Sequence, residues 1–155
     1  MVPFLFAGQK FGILPQGALF WPARNALLFA DLHLEKASFL ARLGQLLPPH
    51  DSIETLRLVE DLIVRTGATE VWCLGDSFHD HDGGKRLGGT ALHRLHTMAG
   101  RVDWIWITGN HDSQLDAGTG GEAMEEVMLS GVALRHMAQR GETGAGLSGQ
   151  CHPGL

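Results

Sequence analysis

Three short strings carry the side chains that could do chemistry: Asp31-Leu32-His33, Gly75-Asp76 and Gly109-Asn110-His111-Asp112. Each follows an apolar run that reads as a buried strand. Each therefore sets carboxylate, amide or imidazole groups at a strand's C-terminal tip, where open α/β sheets bind their ligands. Asp31 and His33, separated by one residue, can face one ion from the same side, and the two oxygens of Asp76 can bridge two ions. Asn110 adds a neutral carbonyl oxygen, and His136 and His152 offer imidazoles at later strand ends. Mixed carboxylate, amide and imidazole ligation suits Mn²⁺, Fe or Zn²⁺ better than Ca²⁺. Two such ions about 3.5–4 Å apart clamp the attacking and leaving oxygens of an in-line displacement and lower the pKa of a water between them. The chemistry indicated is metal-assisted hydrolysis of a phosphate ester.

These groups need a frame. The apolar block 26–30 predicts a central strand ending at Asp31, followed by a helix from near Glu35 to near Gly44. Pro48 and Pro49 interrupt, and Asp51 is the expected N-cap of a second helix with Glu54 as its reciprocal partner. Ile53, Leu56, Val59 and Leu62 recur at helical spacing, and Gly67 closes that helix. Val71 to Leu74 predicts the next strand, 79–89 a polar loop, and Thr90 to Ala99 a helix stopped by Gly100. Val102 to Thr108 predicts a third strand with Trp104 and Trp106 on one face and Ile105 and Ile107 on the other. A glycine-rich loop at 117–121 and a short helix near 122–129 are expected next. A fourth strand then ends at Arg135-His136, and a fifth from Ala145 to Ser148 runs into Gly149-Gln150-Cys151-His152-Pro153. Strand–helix–strand alternation implies right-handed crossovers and a sheet that is largely parallel at first. The last two strands, with no helix between them, are expected as a separate antiparallel element.

At 155 residues the chain is one domain by size, with enough surface to bury a core. The formal charge of −5 argues against broad electrostatic adhesion to nucleic acid. It does not exclude a nucleic-acid substrate, since bound cations change the local sign. Two cysteines, Cys73 and Cys151, imply no disulfide framework, and Cys73 reads as a small core hydrophobe. No apolar stretch is long enough to span a bilayer, and the first residues lack the features of a signal peptide, so a cytoplasmic location is expected.

At these strings the chain resembles the calcineurin-like metallophosphoesterases, whose pattern is D-x-H, G-D, G-N-H-D/E, a lone His and G-H-x-H. It is most similar to the bacterial ligase-associated DNA damage response endonucleases. Ala30-Asp31-Leu32-His33-Leu34-Glu35-Lys36, Leu47-Pro48-Pro49 and Leu74-Gly75-Asp76-Ser77-Phe78-His79-Asp80 carry that likeness. So do Trp106-Ile107-Thr108-Gly109-Asn110-His111-Asp112 and Leu134-Arg135-His136. The resemblance implies a metallophosphoesterase-type α/β sandwich, mixed sheets flanked by helices, over one domain spanning 1–155. It further implies a truncated second layer, because relatives continue past the His-Pro. Asp31, His33, Asp76 and His152 would hold a first divalent ion, and Asp76, Asn110 and His136 a second, Mn²⁺ being implied first with Fe or Zn²⁺ as alternatives. His111 would protonate the leaving group, oriented by Asp112. The implied activity is a DNA endonuclease linked to repair, in association with an ATP-dependent DNA ligase and a helicase.

One position departs from the pattern: Gln150 stands where the first His of G-H-x-H is expected. A neutral amide oxygen is a poorer partner for a transition metal, so the second ion should bind more weakly. His79 and Asp80 belong to a polar loop that is either solvated or placed around the substrate. His93 and His96 share a helix face without a third ligand and read as structural, and Lys36 reads as a helix-surface lysine. Two rival readings stand beside the nuclease: a hydrolase of small phosphodiesters or nucleotides with the same chemistry, and an inactive truncated paralogue.

Overall fold

The computed structural model describes residues 1–45, 51–78, 82–108 and 119–150. Its N-terminal part is an antiparallel meander that the sequence reading did not resolve. β1 (Val2–Phe6) and β2 (Gln9–Ile13) pair in register Val2↔Ile13 through Phe6↔Gln9. Ala7 and Gly8 turn between them, both at positive φ, as a two-residue hairpin turn requires. β3 (Leu19–Trp21) lies antiparallel to both β2 and β4 (Ala26–Phe29), so the sheet is antiparallel where it begins.

From β4 onward the pairing becomes parallel. β5 (Glu70–Leu74), β6 (Asp103–Ile107) and β7 (Glu122–Met124) follow in order, giving a seven-stranded sheet β1-β2-β3-β4-β5-β6-β7. Helices α1 (Lys36–Arg42) and α2 (Asp51–Thr66) cross between β4 and β5. Helices α3 (Gly83–Arg86) and α4 (Gly89–Ala99) cross between β5 and β6. α3 occupies part of the stretch expected as loop, and Gly88 rather than Thr90 precedes α4. α2 already includes Asp51, and Glu54 pairs with Arg57 one turn on.

Two further expectations are corrected in the last third. Residues 122–129 form no helix: they are β7 and, after a break, β8 (Glu126–Leu129). β8 pairs antiparallel with β9 (Val132–Met137), but β10 (Gly146–Gln150) joins β9 in parallel, giving a second sheet β10-β9-β8. The connection 138–145 returns the chain to the far end of β9, where the Ala133 N–H donates to Ala145 O at 2.9 Å.

The layers follow from strand alternation. Leu27, Phe29, Val71, Cys73, Trp104 and Trp106 face one way and pack with Leu56, Val59 and Leu62 of α2 and Leu95 and Met98 of α4. Ala26, Leu28, Trp72, Leu74, Ile105 and Ile107 face the other way and pack with Val132 and Leu134 of β9. β4, β5 and β6 are thus covered on both faces, which is why they read as unbroken apolar runs. Helices, large sheet and small sheet form three layers, and the tips of the central strands emerge where they meet.

Candidate metal centre

Strand pairing outlives the strands at the tips of β4 and β5. The Asp31 N–H donates to Gly75 O at 3.4 Å, the His33 N–H to Asp76 O at 3.0 Å and the Leu34 N–H to Ser77 O at 2.9 Å. Leu34 is buried and bridges to Phe78, whose ring packs 5.8 Å from that of Trp106. The two tips therefore advance side by side on core anchors. One ligand atom each from Asp31, His33 and Asp76 all lie within 4.8 Å of one another.

The backbone that achieves this is strained. Asp31 (φ 54°), His33 (47°), Glu35 (63°) and Asp76 (47°) are left-handed, four of the seven non-glycine residues at positive φ among those described. Each such residue costs about 1–3 kcal/mol and persists only where its surroundings enforce it, and such strain clusters at functional sites.

His136 reaches the same corner from β9 in the other sheet. Its Nε2 lies 3.6 Å from Asp76 Oδ1, and its Nδ1 lies 3.4 Å from Leu74 O. With Nδ1–H donated to that carbonyl, Nε2 is the lone-pair nitrogen turned toward Asp76, the arrangement metal-ligating histidines adopt. Gly75 makes room for it: a Cβ there would sit 1.8 Å from His136 Nδ1, and φ is +85°. The adjacent Arg135 is buried and pairs with Glu126 of β8 at 2.9 Å and with Glu142 of the 138–145 connection. Those pairs hold the end of β9 on both sides. A cleft of about 220 Å³ opens beside His136, lined among others by Thr108, Glu126, Arg135 and Met137.

Two carboxylates and two imidazoles converging from three strand ends fit a divalent transition ion, for which mixed oxygen and nitrogen donors are suited. Cys73, two residues before Gly75, is no candidate ligand. Its side chain belongs to the helix-facing core, and burial pushes its thiol far above the usual thiol range despite an opposing contribution from Trp104.

Asn110, His111, Asp112, His79, Asp80 and His152 lie outside the described residues. Gln150 is the last residue of β10, opposite Met137 in the parallel register. The sequence reading missed the carbonyl of Leu74, the space Gly75 leaves for His136, and the Arg135 ion pairs. Of these only Gly75 carried a readable signal, as a glycine preceding a candidate ligand at a strand tip.

With this geometry in view, the chain proves similar to a solved structure, the Pseudomonas putida nuclease MPE. The TM-score is 0.73 at 25% sequence identity, over 94% of this chain and 70% of that one. No family model and no curated protein matches the chain. The likeness to nuclease MPE runs through nearly the whole chain, and the fold is the α/β sandwich of the metallophosphoesterase type.

Proposed function

We propose that this chain is a metal-dependent phosphodiesterase that cleaves nucleic acid, with DNA as the substrate class. The observation that carries the reading is the convergence of Asp31, His33 and Asp76 within 4.8 Å, with His136 Nε2 3.6 Å from the same Asp76. The fold likeness to a nuclease supports it. Asp31, His33, Asp76 and His152 would hold one divalent ion, and Asp76, Asn110 and His136 a second, with Mn²⁺ favoured and Fe or Zn²⁺ as alternatives. Gln150 would make the second site the weaker. Such ions neutralise phosphate charge and lower the pKa of water.

The chain's own groups supply the rest. Asp76 is the shared ligand between β4's tip and β9's end. The Leu74 carbonyl orients His136 so that one nitrogen faces inward. His111 is assigned to give a proton to the departing oxygen, with Asp112 as its orienting partner. His79 and Asp80 are assigned to the substrate side. The cleft beside His136 is a place for the substrate to extend from the scissile phosphate. A role in DNA repair beside an ATP-dependent ligase and a helicase belongs to this reading.

The test is Mn²⁺-dependent cleavage of single- and double-stranded DNA and of bis-p-nitrophenyl phosphate, with Asp76→Asn as control. DNA cleavage abolished in the variant is the expected result. Cleavage of the small diester alone would favour a small-molecule phosphodiesterase, a reading consistent with the formal charge of −5. Absence of metal-dependent cleavage of either would overturn the proposal.

A further inference from the structure

The left-handed corner at Asp31–Glu35 needs an anchor beyond β5. The Asp31, His33 and Leu34 N–H groups are taken by carbonyls of 75–77, but at Glu35 that ladder has run out. A backbone N–H left without a partner in such a place is costly. Here the Glu35 N–H donates to Ser52 Oγ at 2.8 Å, and the Ser52 hydroxyl donates back to Glu35 Oε1 at 2.9 Å. One hydroxyl, accepting and donating, closes a reciprocal pair across 17 residues of sequence.

Ser52 is fitted for this and for little else. It is 4% exposed and sits in the first turn of α2, inside the helix and past the capping position. Its hydroxyl is turned onto a loop in front of another helix. α2 is itself fixed by Leu56, Val59 and Leu62 in the core, so Ser52 is a rigid post. Arg86 of α3 adds a contact to Glu35 O at 3.4 Å. Glu35 lies two residues from His33 and four from Asp31, and all three are left-handed. Releasing Glu35 would let His33 relax toward ordinary backbone and carry its imidazole away from Asp76.

We propose that Ser52 is a positioning residue for the metal group, acting through Glu35 to hold the strained corner in its ligand-presenting form. The inference rests on the reading of Asp31, His33 and Asp76 as metal ligands.

The experiment measures Mn²⁺ affinity by titration calorimetry and the manganese spin-resonance signal for wild type, Ser52→Ala and Ser52→Thr, with melting temperatures recorded in chelator. Ser52→Ala is expected to weaken binding about 10-fold, in the range typical of losing a group that orients a ligand, and Ser52→Thr to restore it within about 3-fold. Wild-type affinity in Ser52→Ala would overturn the proposal and leave the metal centre standing. No Mn²⁺ binding by wild type would overturn both. Should Ser52→Ala fail to fold, Glu35→Ala decides: weaker binding at an unchanged chelator melting temperature, reversed in Glu35→Gln, supports the proposal, and wild-type affinity overturns it.

Discussion

Gly149 approaches Leu74 so closely that a Cβ on it would stand 1.6 Å from the Leu74 carbonyl oxygen. That carbonyl is also the one 3.4 Å from His136 Nδ1. One backbone group at the tip of β5 therefore sets the approach of β10 and the orientation of a β9 imidazole. Gly149→Ala should push β10 off β5, costing about 1–3 kcal/mol as overpacked sites do. The measurement is the urea midpoint at constant slope, together with a fall in Mn²⁺ affinity.

Gly75 should be as intolerant for a different reason. An alanine there would be strained at φ +85° and would displace the His136 ring. Gly75→Ala is expected to lower Mn²⁺ affinity at least ~10-fold, comparable to losing a group that orients a ligand, and to reduce turnover. Calorimetric titration against wild type checks it, and unchanged binding would mean that His136 takes no part in holding metal.

Replacing Gln150 with His should raise both Mn²⁺ affinity at the weaker site and metal-dependent turnover, because imidazole is a better transition-metal ligand than a neutral amide. The readout is the Mn²⁺ concentration giving half-maximal cleavage of bis-p-nitrophenyl phosphate. A gain in neither, with two ions bound in each protein, would show that Gln150 is not what weakens the site.

Cys73 makes stability fall on the alkaline side. Its ordinary value is 9.0, and burial raises it much further in the folded chain. Between those limits the unfolded state has lost a proton the folded state keeps, so unfolding free energy falls as pH rises. Below about pH 8 the contribution is complete and flat. The chain contains no tyrosine, which leaves this window to thiols, the α-amino group and lysines. Urea midpoints at pH 7.5, 9 and 10 should decline, and Cys73→Ala should flatten the slope while lowering the whole curve. Native Cys73 should resist alkylation that proceeds readily in denaturant.

The parts of the fold legible in the sequence are those where burial alone dictates the pattern. β4, β5 and β6 are covered on both faces and appear as apolar runs, and Trp104 and Trp106 alternate with Ile105 and Ile107 as the two cores require. The meander was harder to see, since Val2 and Leu5 of β1 are exposed and Pro3 interrupts it. Glu122 to Leu129 is rich in helix formers, yet pairing of β7 with β6 and of β8 with β9 overrides that preference. The parallel partnership of β9 and β10 depends on a return path through 138–145 that no local signal encodes. At the site, Asp31, His33, Asp76 and His136 were readable as candidate ligands from residue type and strand-end position. What holds them was not: a carbonyl at Leu74 and a hydroxyl at Ser52 gain their roles only when distant segments meet.

The reciprocal pair between Ser52 and Glu35 joins two positions that carry no ligand themselves. If that link steadies the corner, neither position is free to drift alone. Among diverged descendants of this chain, substitutions at 35 and 52 should arise together, while surface positions such as 58 and 64 vary independently.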